Sequence, residues 1–289
     1  MRLFLALGII LTPTFLWATT DGSDLAFYIG TFSTTTYAQL LLTDSAGRQT
    51  GQQGFQGPEI DNIPNSNYIV DATEDIDTGT SGVQRAEAGI GPVTAGQYSL
   101  TVLGMATTPF QLTVRAAHTD GSSSLTTFQG FIVQNSTREY VTNFDPASGG
   151  QLTVIKTVSF STLREDLQTA FQLGQIGGRK FVDALDDLLA QGQKALKHQD
   201  DRDHHHDGDD DHSKREAVEK LREFIAQVDR AAKPKDDHDR KDDRDRDEKR
   251  FATSTAAQSL TTDAKTLLQQ LEGSPEKDHD HHDRDNEGH

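Results

Sequence analysis

The chain contains no cysteine. That excludes a disulfide framework, thiolate metal ligation and a lipid anchor on a cleavage-site cysteine. Methionine is nearly absent too, with two in 289 residues, so soft Cu(I) has neither thiolate nor thioether ligands. Basic residues are outnumbered: 28 Lys and Arg face 45 Asp and Glu, giving a net charge of −17 that rises only to −6 when all 11 histidines take a proton. Such a chain repels phosphate backbones and anionic lipid surfaces. The expected partners are therefore divalent cations, other exported proteins or basic surfaces, and not nucleic acid or membrane. Sequence signatures of catalysis are missing as well: there is no Gly-x-Ser-x-Gly, no His-Glu-x-x-His and no phosphate loop. The expectation is a non-catalytic protein, with a hydrolase as a distant alternative.

Long apolar runs are scarce. The one that stands out, Leu3 to Leu11, follows Met1-Arg2 and precedes Phe15-Leu16-Trp17-Ala18. It is shorter than the roughly 20 residues a bilayer core requires. Its charged, apolar and small-residue order is that of a secretory signal peptide. Residues 1–18 are expected to be removed after Ala18, placing the mature protein in the periplasm or the medium and discarding the only tryptophan.

From residue 23 to residue 160 the pattern is that of β-structure. Leu25 to Ile29 and Ala38 to Thr43 read as strands, with Asp44-Ser-Ala-Gly47 as a turn. Gln97 to Val102 and Phe110 to Arg115 alternate with period two. The short Thr107-Thr108-Pro109 link predicts a hairpin or close antiparallel pair between them. About eight short strands separated by turn residues suit a β-sandwich. Asp71-Ala-Thr-Glu74-Asp75-Ile-Asp77-Thr-Gly79 reads as an acidic turn, and Asp71, Asp75 and Asp77 are candidate calcium ligands there, although the spacing is not that of an EF-hand loop. His118 reads as a surface histidine at a strand end.

After Phe160 the period becomes 3.6. Leu163, Leu167 and Ala170-Phe171 form one apolar stripe, with Gly174 as a stop. Phe181-Val182, Leu185, Leu188-Leu189 and Leu196 form a second. Val218, Leu221, Phe224-Ile225 and Val228 form a third, begun by Ser213. Ala256-Ala257, Leu260, Ala264 and Leu267-Leu268 form a fourth, with Thr253, Ser254 and Thr255 as N-cap candidates and Gly273 as its end. Four amphipathic helices bury their stripes most simply in an up-down bundle.

Two resemblances follow from these residues. Tyr98-Ser-Leu-Thr-Val102, Phe110-Gln-Leu-Thr-Val114 and Leu40 to Gly51 resemble strands of the pre-peptidase C-terminal β-sandwich domains of exported bacterial proteins. Gly174-Gln-Ile176, Leu185 to Ala195, Leu221 to Val228 and Ala257 to Leu267 resemble the helical domain called FIMAH, from which the chain departs at Ala226-Gln227 and by charged inserts in both long interhelical loops. Both resemblances imply accessory modules for attachment or interaction. The expected fold class is thus multidomain, all-β plus all-α. An antiparallel β-sandwich (23–160) precedes a FIMAH-like four-helix up-down bundle (161–273) with disordered charged inserts at 198–213 and 233–250. A disordered Asp/His-rich tail (274–289) ends the chain.

Ten of the 11 histidines lie in three acidic, low-complexity tracts. Imidazole beside carboxylate is a ligand set for zinc, nickel or copper(II). The candidate ligands are His198, His204, His205, His206 and His212 in the first tract, and His279, His281 and His282 in the tail. The competing reading is a solvated linker. In an up-down bundle the first tract and the tail leave from the same end, so they can chelate together, whereas His238 sits at the other end.

Overall fold

The computed structural model describes residues 22–31, 38–75, 80–200, 210–233 and 250–273, without side chains at 71–75, 80–84, 198–200 and 210–211. The expected signal peptide, His204 to His206, His238 and the 274–289 tail lie outside the described residues.

Eleven strands of the described chain build two antiparallel sheets. They are β1 (Asp24–Thr31), β2 (Ala38–Thr43), β3 (Gln49–Gln52), β4 (Glu59–Asp61), β5 (Ser66–Asp75), β6 (Thr80–Ile90), β7 (Gly96–Gly104), β8 (Thr108–Ala117), β9 (Ser123–Ile132), β10 (Thr137–Phe144) and β11 (Leu152–Lys156). The first sheet runs β5-β6-β1-β8-β9 and the second β11-β10-β7-β2-β3-β4. Alternate residues of β1 (Leu25, Phe27, Ile29) and β8 (Phe110, Leu112, Val114) share a core with those of β2 (Leu40, Leu42) and β7 (Leu100, Val102). This is the packing that period-two patterning demands of a sandwich.

Two expectations about the sandwich need correction. β7 and β8 do not pair: β7 lies between β10 and β2, and β8 between β1 and β9. The short link after Gly104 crosses from one sheet to the other, so that the apolar faces of β7 and β8 meet from opposite sides of the same core. The Asp71 to Gly79 segment is not simply a turn. Asp71 and Asp75 belong to β5, in register with Arg85 and Thr80 of β6, and only 76–79, including Asp77, lie outside the described residues. The acidic composition of this segment hid a strand whose pairing comes from its neighbour. The core also contains a close approach that only glycine permits. Gly51 has φ +126°, and a Cβ there would run into the Leu40 carbonyl of β2.

Four helices follow: α1 (Phe160–Gln172), α2 (Arg179–Asp200), α3 (Asp210–Ala232) and α4 (Ser254–Gly273). Ser159 caps α1 in a capping box with Thr162, and Gly174 (φ +67°) follows its end. Thr253 Oγ1 accepts the Ala256 amide hydrogen at 3.2 Å and so caps α4. The four apolar stripes expected from the sequence meet in one core. The helices enter the first tract further than expected. α2 runs through the position of His198, and α3 starts at Asp210, so that His212 is helical; the run of acidic residues at Asp210-Asp211 suits the first turn of a helix. Among the described residues, no helix is long and apolar enough to cross a membrane.

Contacts fix the helix directions. Phe160 at the start of α1 lies against Gly192 late in α2, while Arg164 pairs with Asp186. Two short strands, β12 (Ile176–Gly177) and β13 (Phe251–Ala252), pair antiparallel just before α2 and α4. The starts of α2 and α4 are thereby held together, and the ends of both lie at the opposite pole. Arg222 in α3 reaches Glu272 at the end of α4, at 2.7 Å. The 12 residues of α3 before Arg222 therefore continue past α4 for about 18 Å at 1.5 Å per residue, paired with the end of α2 as a projecting hairpin.

Candidate functional site

The bundle is not an appendage on a linker. α1 and α4 both pack on β9, an edge strand of the first sheet. Phe131 shows the consequence. It points away from the sandwich interior, opposite in parity to Ile132, yet it is fully buried because it belongs to the helical core. The Ser259 hydroxyl of α4 donates to the Gln129 carbonyl of β9 at 3.2 Å.

Beside Phe131 lies a charged seam. On β10 and β11 the inward-facing positions carry Arg138, Tyr140 and Lys156, with Tyr140 and Lys156 directly opposite in register. From the helices come Asp166 of α1 and Asp263 of α4. Exposures of 3% for Arg138, 5% for Lys156, 1% for Asp166 and 3% for Asp263 place all four charges out of water. Lys156 Nζ lies 2.6 Å from Asp263 Oδ2 and 3.9 Å from Asp166 Oδ2. The Arg138 guanidinium bonds Asp166 through one nitrogen and Glu165, at the rim, through the other at 2.8 Å. Two cations thus face two fully buried anions.

Burial controls the titration of this cluster. Desolvation pushes the Asp166 carboxyl up to about 6, against the opposing pull of Lys156 and Arg138. Desolvation opposes the charge on Lys156, but the negative surroundings, Asp263 and Asp166 among them, outweigh it and raise the ammonium above its ordinary value. Tyr140, fully buried, is raised chiefly by desolvation and keeps its proton. Three polar atoms here, Tyr140 Oη, Asp166 Oδ2 and Arg138 Nε, have no hydrogen-bond partner among the described residues. Unsatisfied buried atoms are uncommon in native interiors and call for an explanation.

A second polar cluster lies on the outer face of the first sheet. Arg115 Nη2 donates to Asp24 Oδ2 at 2.9 Å, and Tyr28 bonds Glu87. Desolvation raises Asp24 and Glu87, and it pushes Tyr28 up to about 12. The adjoining depression, lined in part by Ala26 and Gly89, holds a cavity of about 10 Å³, room for about one water and too small for an organic ligand.

The sequence-derived metal ligands scatter differently. His212 is exposed on the first turn of α3, and the backbone position of His198 lies in the last turn of α2, so the two flank one tip of the projecting hairpin. His204, His205 and His206 belong to the link between them and lie outside the described residues, as do His279, His281, His282 and Asp77. Among the described residues no group of three or more His, Asp and Glu side chains is placed to hold a metal ion. His118 is a correction: it is 2% exposed, with Nδ1 3.1 Å from the Asp145 carbonyl oxygen and its ring against Phe144. The loop after β10 covers it, which strand patterning does not reveal.

Sequence reasoning missed the seam altogether. The available signal was a lysine and an arginine at positions where strand alternation puts the side chain inward. No protein-family model, curated protein or solved structure matches the chain.

Proposed function

We propose that the protein is a non-catalytic exported accessory module. A rigid sandwich-and-bundle body holds out the α2–α3 hairpin and its acidic, histidine-bearing tip for interaction. The observation that carries this reading is the seam: charges buried on both sides, together with Phe131 set into the helical core, make the two halves one body. The projection past α4 then has a fixed direction. An acidic tip suits a basic surface or another exported protein. The pre-peptidase-like and FIMAH-like resemblances, both of accessory modules, agree with this reading.

The test is direct. The mature protein, added back to cells of a bacterium that exports it, is expected to sediment with them, and a variant with 201–209 replaced by a Gly-Ser link is expected to stay in solution. Equal behaviour of the two forms would overturn the role of the tip. Steady turnover of ester, glycoside, phosphate or peptide substrates by the pure protein would overturn the non-catalytic reading.

A second reading has one specific observation in its favour. The helical hairpin brings the positions of His198 and His212 to the same end, on either side of the link carrying His204 to His206. On this reading the tip binds a divalent cation, zinc, nickel or copper(II), and α4 ends at Gly273 at the same pole. Calcium at Asp71, Asp75 and Asp77 is the weaker cation proposal, since two of these residues occupy a paired strand.

A further inference from the structure

We propose that Lys156 and Asp263 condense to an amide, Nζ to Cγ, which covalently ties the last strand of the sandwich to the fourth helix of the bundle. The inference rests on the seam alone and does not depend on what the hairpin tip binds.

Four features of the seam support it. The first is proximity: Nζ and Oδ2 are 2.6 Å apart, both side chains about 5% exposed, held by a strand and a helix that cannot easily withdraw them. Fixed reactive groups react as if at very high concentration. The second is dryness. Lys156 Nζ lies 3.5 Å from where a Cβ on Gly130 would be, with the Phe110 ring on the same glycine's other contacts. Water, the species that would drive the condensation backwards, is kept from the amide.

The third feature is a proton carrier. Asp166 Oδ2, 3.9 Å from Nζ, accepts no hydrogen bond, and burial brings its carboxyl close to neutral titration. It can take a proton from the ammonium, leaving an amine whose lone pair attacks Asp263 Cγ. The C–N bond forms, and the C–O bond breaks after the departing oxygen has collected two protons, the second also from the nitrogen by way of Asp166. The balance is one ammonium plus one carboxylate giving one amide plus one water, with no oxidant or activating group.

The fourth feature is that the product accounts for atoms that otherwise lack partners. An amide has one donor and one acceptor. Asp166 Oδ2 is a spare acceptor beside the nitrogen, and Tyr140 Oη is a spare donor in the same charged cluster. In the oxyanion that precedes the amide, the same tyrosine hydrogen would meet the developing charge. Condensation also removes one buried cation and one buried anion, whose desolvation is expensive. Arg138 and Asp166 remain as a balanced pair.

Intact-mass measurement of the purified mature protein tests this. The expected mass is 18 Da below that of the sequence, with a protease fragment in which Lys156 and Asp263 are joined. Lys156→Arg, which keeps the cation, and Asp263→Asn, in a fold verified by circular dichroism, are expected to differ. The arginine variant restores the full sequence mass. The asparagine variant either keeps its full mass or forms the same amide with loss of ammonia, 17 Da, and both results place the reaction at residue 263. Asp166→Asn is expected to leave the folded protein unlinked. A wild-type protein at full sequence mass after days at pH 5 to 8 would overturn the proposal, as would an 18 Da loss that persists in Lys156→Arg.

Discussion

Arg138 and Asp166 meet across the seam between β10 and α1, and both are almost wholly excluded from water. The pair sits where a sandwich core would ordinarily hold apolar side chains. Its value is therefore conditional on both members being present. Two buried charges that face each other are tolerable, whereas one alone is not.

Arg138→Met leaves Asp166 with its nearest cation gone and is expected to cost about 3–5 kcal/mol in urea unfolding. Arg222→Ala, which removes an exposed pair to Glu272, is expected to cost less than about 1 kcal/mol; side-chain exposures of 66% and 43% set that difference. Equal losses in the two variants would mean that the seam is hydrated in solution.

Arg164 holds Asp186 of α2 through two hydrogen bonds of 2.8 and 2.7 Å. The Arg164 bond draws the Asp186 carboxyl below its ordinary value, against a smaller desolvation effect. A depressed carboxyl contributes stability that is present above its unfolded pKa, about 4, and is lost as pH falls through the lower folded value. Arg164→Gln should therefore flatten the fall in stability below about pH 4. Because the pair is partly exposed, the change at neutral pH should stay under about 1 kcal/mol. An unchanged acid limb in the variant would remove Asp186 from that account.

Gly192 lies inside α2, where alanine would ordinarily gain about 1 kcal/mol of helix propensity. Here a Cβ would stand 2.6 Å from Phe160 Cε1. Gly192→Ala is expected to destabilise by about 1–3 kcal/mol through overpacking. Gly192→Ala combined with Phe160→Leu should recover part of that loss. Thermal unfolding of the four proteins in the cycle measures the coupling, and strictly additive effects would rule out the close approach.

If the second reading holds, zinc binding, measured by titration calorimetry of the protein, is expected to fade as pH drops through about 6.5, where imidazole takes a proton. Replacing His204, His205 and His206 by alanine should cost about as much affinity as truncation after Gly273, with little further loss when the two are combined. His238→Ala should change little, because α3 ends and α4 begins at the pole that carries β12 and β13. Binding that persists unchanged at pH 5 would assign the metal to carboxylates alone.

Stability of the bundle should depend on its partner. A fragment of 159–273 retains its four apolar stripes but leaves Asp166 and Asp263 without Lys156 and Arg138, and it loses Phe131 from its core. Circular dichroism should show a helical fragment that melts well below the whole protein. A fragment as stable as the intact chain would mean that the seam contributes nothing to the bundle.

Much of this protein was legible in the order of its residues. Period two in β1, β2, β7 and β8, then period 3.6 from Leu163 onward, determined a sandwich followed by four helices, because each periodicity has one backbone that can bury it. Ser159 carries no such signal of its own, but the Thr253 cap and the Gly174 stop follow from local chemistry. Tertiary structure alone decided the rest. β5 and β6 pair despite acidic and small residues, because neighbouring β1 supplies the template. β7 and β8 part into different sheets because a short link can cross a sandwich as readily as turn back. Lys156 and Arg138 look like ordinary solvated charges until α1 and α4 close over them, and Asp263, 107 residues from Lys156, and Asp166, 28 residues from Arg138, become their counter-ions only in the folded chain. Periodicity states which way a side chain points along its own element; what it then meets depends on elements far away in sequence, and for the seam that decides whether four charges are solvated or locked together.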